Sequence, residues 1–369
     1  MTTDLHREPG RAPVGGPVRV PVRVVVTGAA GGVGQRVLRR LAADQSVDEV
    51  VALDIVPMRT ALPKVVHHQA SVATADLAPL VAGATCVVHL AFAVDTELRR
   101  RHTEATNVDG TRRLLAAMDA AGVGHVVAMS SALVYGAWAN NAVPLTEDAP
   151  VRPNPGFAYA VQQAQREQLV ADWVVAAPGR TAGVLRPCLG LGPDRSPWLA
   201  ASLAAAAGMR LAEEDPPAQF MALDDLADAI DLARRRRLDG AYNVAPAGWM
   251  SGETVRALAV ARPRLRLPAP VALVLAKLRW RFQRGPIPPG MLPFTQHPWV
   301  VASDRLHGEG WTPRFTSEQA YVAGTEAKWW TLLTPSRKQE LALGGAGAAG
   351  LGVLGVAVVV ARRIVRSRR

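Results

Sequence analysis

Cysteine and lysine are both scarce in this chain, and each scarcity removes a class of chemistry. Cys86 and Cys188 are the only cysteines in 369 residues, and no metal-ligand spacing surrounds them. They read as small buried fillers of a reduced protein, so neither a disulfide framework nor a metal centre is expected. The four lysines are Lys64, Lys277, Lys328 and Lys338, which leaves a long middle stretch with none. The N-terminus, MTTDLHREPGRAPVGGP, lacks the apolar stretch of a secretory signal. Residues 1–21 instead read as a disordered leader rich in Pro, Gly and Arg. Basic residues are plentiful, with a net charge of +11, but no aromatic-interleaved basic stripe accompanies them. Nucleic acid is therefore not an expected partner. Five of the positive charges, Arg362, Arg363, Arg366, Arg368 and Arg369, fall in the final segment 362–369. A second run, Arg234 to Arg237, is expected to close a helix at a solvated end, where cations suit the macrodipole.

What is present begins at Val22. The run Val22 to Val26 is β-branched and apolar apart from Arg23, the pattern of a strand covered on both faces. Thr27-Gly28-Ala29-Ala30-Gly31-Gly32-Val33-Gly34 follows it, and Val33, Val37, Leu38 and Leu41 then recur at helical spacing. Glycines between a strand and a helix have a physical use. Gly28 permits a tight turn, Gly31 lets the backbone approach a pyrophosphate, and Gly34 lets helix and strand pack closely. The free N–H groups of the helix start hold the anion. The next strand, Glu49 to Asp54, ends in an acid 20 residues beyond Gly34, where a carboxylate accepts hydrogen bonds from an adenosine ribose. That charge also repels a 2′-phosphate, so NAD is expected rather than NADP. Arg59 nearby is the one residue pulling the other way.

The T-G-x-x-G-x-x-G spacing resembles the extended short-chain dehydrogenase/reductase family, the branch of NAD-dependent nucleotide-sugar epimerases and dehydratases. Other segments carry the same resemblance in the same order. They are Asp76-Leu77, Cys86 to Phe92, Asn107-Val108-Asp109-Gly110-Thr111, Val126 to Gly136, Leu185-Arg186-Pro187, and Phe220 to Ala227. The resemblance covers about residues 22–322. It implies an α/β fold, a Rossmann doubly wound parallel sheet, over 22–190. A smaller substrate lobe is implied over 191–335, with 220–230 returning to the first domain. It also implies that Asp76 and Leu77 approach the adenine, that Leu90 and Ala91 lie over the cofactor, and that Asn107 buttresses the site. A small-molecule substrate is expected.

In the resembled family a Tyr exchanges a proton with a substrate oxygen, a Ser hydrogen-bonds that oxygen, and a Lys four residues after the Tyr holds the ribose and lowers the Tyr pKa. Carried onto this chain, the Ser is Ser131 and the Tyr is Tyr159. Position 163 departs, because Gln163 stands where Lys is expected. A free tyrosine has a pKa of about 10. A cation ~4 Å away contributes on the order of 4 kcal/mol at an effective dielectric of about 20, roughly three pKa units at most. Gln163 still offers a hydrogen bond to a ribose hydroxyl, but no charge. Arg166, seven residues after Tyr159 and two turns along the same helix face, is the candidate replacement cation. Three readings remain open: an acid acting on ketones, slow chemistry, or a cofactor-binding site without catalysis.

Past Pro193 the sequence is less informative. Leu199 to Leu211, Asp224 to Ala233 and Gly252 to Val260 read as helices, with a short strand around Gly240 to Val244. Trp198, Trp249, Trp299 and Trp311 are available for stacking or packing, and Pro268 to Phe282 is an apolar stretch that turns basic. Leu341 to Ala361 is 21 residues without a charge, enough for a helix of about 30 Å, the thickness of a hydrocarbon core. Trp329 and Trp330 precede it at belt position, and Gly345, Ala349 and Gly352 leave room for a homodimer contact. A membrane helix over 341–361 with membrane lipids as partners is expected, the catalytic domain facing the cytoplasm. That topology sends the basic tail outward against the positive-inside tendency, unless the helix is shallow and returns its arginines to anionic headgroups. The expected substrate is a nucleotide-sugar, or a lipid or sterol-like alcohol or ketone as in membrane-bound 3β-hydroxysteroid dehydrogenases. The alternative is a non-catalytic NAD-binding regulatory or scaffold protein.

Overall fold

The computed structural model describes residues 21–58, 60–93, 103–192, 209–210, 215–258, 265–266, 268–281 and 289–324. The leader up to residue 20, Arg59, Trp198, the expected membrane helix 341–361 and the basic tail 362–369 lie outside the described residues. Among the described residues no helix is long and apolar enough to cross a membrane.

The strands are β1 (Arg23–Thr27), β2 (Glu49–Asp54), β3 (Val65–Gln69), β4 (Cys86–His89), β5 (His125–Met129), β6 (Thr181–Pro187), β7 (Leu189–Leu191), β8 (Met209–Arg210), β9 (Phe220–Ala222), β10 (Gly240–Val244) and β11 (Leu265–Arg266). The helices are α1 (Gly32–Ala43), α2 (Ala78–Val81), α3 (Gly110–Ala120), α4 (Ala158–Val175), α5 (Leu223–Arg236), α6 (Gly252–Leu258), α7 (Ala269–Arg281), α8 (Asp304–Gly308) and α9 (Ser317–Gly324). Seven strands form one parallel sheet in the order β10-β6-β5-β4-β1-β2-β3. The order reverses at β1, which lies between β2 and β4, so the crevice at their carboxyl ends is where such a sheet binds ligands.

Alternation along each strand builds the two faces. Val24 and Val26 of β1, with Val50 and Ala52 of β2, join Val37, Leu38 and Leu41 of α1 and Leu226 and Ile230 of α5. Val25, Val51 and Leu53 turn the other way, onto Leu114 and Met118 of α3 and Val170 and Trp173 of α4. Helices therefore cover both faces, which is why these strands are apolar throughout. Cys86 and Cys188 are both buried and unpaired.

Three expectations need correction. The strand around Gly240 to Val244 does not belong to a separate lobe: it pairs with β6 as the edge of the main sheet. Met209–Arg210, expected at the end of a helix, is a strand paired with β11, because extended partners satisfy its backbone; the rest of Leu199 to Leu211 lies outside the described residues. The basic end of α5 is not wholly solvated. Arg234 is buried and paired with Asp44 and Asp231, which clasps α5 to the end of α1. Further ion pairs from Arg36 and Arg40 to Asp224, and from Arg40 to Asp228, extend the clasp along both helices. Elsewhere Trp299 and Trp311 are buried and Trp249 is exposed. Helix α7 leaves Val271, Val274, Leu275 and Leu278 exposed, one face at helical spacing.

Candidate active site

The glycine turn shows what each glycine is for. Gly28 has φ of +71°, and a Cβ there would stand 2.7 Å from the backbone of Leu90 and Ala91. Leu90 and Ala91 thus cross directly over the turn. A Cβ at Gly34 would fall 2.3 Å from the Gly28 carbonyl oxygen, so the first turn of α1 packs onto the loop only as glycine. Gly31 differs. It is exposed, caps α1 in extended backbone, and no side chain caps the helix there. Within 4 Å a Cβ would meet only the Gly28 carbonyl oxygen, at 3.3 Å. The uncapped start of α1 fits an anionic diphosphate.

Asp54 closes β2 beside this turn. The Ala30 N–H donates to its Oδ2 at 2.9 Å and the Val56 N–H to its Oδ1 at 3.0 Å. Each oxygen keeps acceptor capacity for a ribose hydroxyl. Asp76 is exposed and accepts from the Ala78 N–H at 3.3 Å, while the Leu77 side chain is buried in the core. These two follow β3 in the chain, and Leu77 packs in the core with Val25, Val51 and Val87.

A buried chain of hydrogen bonds runs from the glycine turn to α4. The Ala91 N–H donates to Thr27 Oγ1 at 3.2 Å, and Thr27 Oγ1 meets His89 Nδ1 at 2.7 Å. His89 Nε2 meets Thr111 Oγ1 at 2.9 Å, Thr111 donates to the Asn107 carbonyl at 2.6 Å, and Arg166 Nε donates to Thr111 at 3.0 Å. Thr111 spends its only proton on Asn107, so His89 must donate from Nε2 and accept at Nδ1. Burial, and then the Arg166 charge, hold its pKa well below the usual histidine range, keeping the ring neutral. Asn107 itself clamps the Ala93 backbone, accepting from its N–H at 2.7 Å and donating to its carbonyl at 2.9 Å, and also donates to Gln162 at 2.7 Å.

Ser131 follows β5 and caps the turn Ala132–Tyr135 by accepting from the Leu133 N–H at 3.2 Å. Tyr159 sits in the first turn of α4, its ring edge-on to Phe92 at 5.0 Å and stacked on Phe157 at 5.7 Å. Burial raises the Tyr159 pKa. Hydrogen bonds from Gln163 and Ser131, and the Arg166 charge, act in the opposite direction. The fold therefore brings Ser131, Tyr159 and Gln163 together. Gln163 is buried, and Arg166 Nη1 donates to its Oε1 at 2.8 Å. Beneath them lies a second buried network. Glu167 accepts from Ser130 and, through both oxygens, from Arg186 at 2.6–3.1 Å. Arg186 also donates to the Tyr135 hydroxyl at 2.8 Å, and Tyr135 donates to Asn243 of β10 at 2.8 Å.

The family model described as NAD dependent epimerase/dehydratase family matches residues 24–245, well over half of the chain. The chain belongs to that family. A comparison with curated proteins finds no match. Solved structures share its fold. DesIV, the dTDP-glucose 4,6-dehydratase of Streptomyces venezuelae with NAD and TYD bound, is 20% identical with a TM-score of 0.62, over 85% of this chain and 100% of that one. The Thermus thermophilus UDP-glucose 4-epimerase in complex with NAD is 23% identical with a TM-score of 0.62, over 82% and 97%. MoeE5 in complex with UDP-glucose and NAD is 22% identical with a TM-score of 0.61, over 82% and 97% likewise.

Sequence reading named Phe92 and Arg166 without their contacts to each other and to Tyr159. Phe92 touches both Tyr159 and Arg166, whose guanidinium lies 5.2 Å from the Phe92 ring centre. The Leu185-Arg186-Pro187 segment flagged Arg186, but nothing local marked Glu167 as its partner, since the two meet only when β6 and α4 pack. Among the described residues no group of three or more His, Cys, Asp or Glu could hold a metal ion.

Proposed function

We propose that this chain is an NAD-dependent epimerase, dehydratase or dehydrogenase acting on a nucleotide-linked sugar. The observation that carries this reading is the Tyr159 phenol held between Ser131 and Gln163 at the strand ends that continue from the glycine turn. The glycine turn and the open start of α1 take the diphosphate, Asp54 takes the adenosine ribose, and Gln163 takes the nicotinamide ribose. NAD bound there supplies a hydride acceptor and, once reduced, a donor. Tyr159 gives or takes the proton of the reacting substrate hydroxyl, and Ser131 holds that same oxygen in place. The neighbours' nucleotide-linked sugars support this substrate class. A lipid or sterol-like substrate would draw on the expected membrane helix, which lies outside the described residues.

Gln163 favours a second reading, a non-catalytic NAD-binding regulator. Two measurements on the full chain separate the readings. The first is NADH binding by nicotinamide fluorescence. The second is turnover of UDP-glucose and dTDP-glucose by the chain and by Tyr159→Phe. Binding together with turnover that falls about 100-fold or more in Tyr159→Phe supports the enzyme. Binding without turnover supports the regulator, and no binding of NADH at millimolar concentration would sink both.

A further inference from the structure

Resting on that reading, we propose that Arg166 is a positioning residue that supplies, through the Gln163 amide, the positive charge Tyr159 needs to release its proton. The chain of contacts is direct. Arg166 Nη1 donates to Gln163 Oε1 at 2.8 Å, which leaves the Gln163 amide nitrogen to donate to the Tyr159 oxygen. The guanidinium is fixed by Thr111 at 3.0 Å, by the Met129 carbonyl at 3.3 Å and by the Phe92 ring, which also touches Tyr159. It is buried, and its Nη2 has no hydrogen-bond partner among the described residues.

Among the described residues the carboxylate that acts on that cation is Glu167, and no ion pair joins the two. From β4 the cation faces His89, held neutral. From α3 it faces Thr111, and from β5 the Met129 carbonyl and Ser130. From its own helix it faces Gln163 and Glu167, and Glu167 is engaged through both oxygens by Arg186 of β6. No ion pair involves Arg166 among the described residues. Burying an unpaired cation is costly, and an apolar residue would pack there at less expense. Aimed through an amide at a phenol, the charge has a use: it favours the phenolate. Burial lowers the guanidinium's pKa, yet an arginine stays cationic through the range in which a tyrosine titrates.

The test reads the phenol itself, by ultraviolet absorbance of tyrosinate across alkaline pH. The four tyrosines are Tyr135, Tyr159, Tyr242 and Tyr321, and subtracting the titration of Tyr159→Phe isolates Tyr159. Circular dichroism and thermal midpoints check folding. In Arg166→Met the Tyr159 midpoint is expected to rise by about one unit or more. In Gln163→Lys it is expected to move by less than about half a unit, because a cation already serves the site and two adjacent cations oppose each other. An unmoved midpoint in folded Arg166→Met would overturn the proposal. So would a fall of about two units in Gln163→Lys, which would mean that the native site lacks a charge. If Arg166→Met does not fold, Gln163→Lys decides alone. The titration needs neither NAD nor turnover, so it stands apart from any failure of the enzyme reading.

Discussion

Asp54 accepts from the glycine turn and, in the proposed site, from the ribose, so the two roles can be separated by substitution. Asp54→Ala leaves the Ala30 and Val56 N–H groups without their acceptor and removes the charge that repels a 2′-phosphate. NADH affinity is expected to fall about ten-fold or more, since about 2–3 kcal/mol of hydrogen bonding is at stake in a charged acceptor. Asp54→Asn keeps an acceptor oxygen but no charge, and is expected to lose mainly the preference for NADH over NADPH. Fluorescence titration with both nucleotides checks this; an Asp54→Ala chain that binds NADH like the parent would remove Asp54 from the site. Tyr159 makes a second prediction at the same scale. Its pKa is raised, burial outweighing Gln163, Ser131 and Arg166. Alcohol oxidation needs the phenolate, so its rate below that pKa should climb about ten-fold per pH unit with no plateau before pH ~10. Ketone reduction needs the phenol and should stay flat over the same range. A plateau in the oxidation rate near pH ~7 would contradict the burial argument.

At the scale of elements, the turn between β1 and α1 is expected to separate a folding glycine from a binding glycine. Gly34→Ala places a Cβ 2.3 Å from the Gly28 carbonyl oxygen, and backbone cannot step aside cheaply. The expected cost is on the order of 1–3 kcal/mol, visible as a lowered thermal midpoint. Gly31→Ala meets one carbonyl oxygen at 3.3 Å in an exposed position, so its midpoint should stay close to the parent's while NADH binding falls about ten-fold or more. Equal effects of the two on stability would refute the distinction. The same elements show what a sequence can and cannot reveal. β1 and β2 were legible because strands buried on both faces are continuous apolar runs, and the glycine turn because its spacing is local. The place of β10 was not. Its five residues begin with glycine, and their identity as a sheet edge depends on pairing with β6, far away in the chain. The Glu167 and Arg186 pair was hidden for the same reason. Arg166 was visible as a helical neighbour of Tyr159 and Gln163, but its contacts with Thr111, Met129 and Phe92 are tertiary facts.

At the scale of the whole molecule, the question is where this domain works. Trp329 and Trp330, the uncharged stretch 341–361 and the five arginines of 362–369 lie in sequence order beyond the last described helix, α9. We propose that this region tethers the enzyme to a membrane with the Rossmann domain on the cytoplasmic side. Two physical modes are open to it, and they respond differently to solvent. A helix spanning about 30 Å of hydrocarbon is held by apolar transfer and should survive both high salt and alkaline carbonate. Arginines on anionic headgroups are held by charge, worth about 1 kcal/mol each near the surface, and high salt should release them. Fractionation of the full chain against a chain ending at Glu340 therefore has three readable results. Carbonate-resistant pelleting of the full chain alone is the expected outcome for a spanning or deeply inserted helix. Release by salt would assign the attachment to the basic tail. If both chains stay in the supernatant, the tether is wrong, and substrate choice has to be argued from the residues around Tyr159 alone.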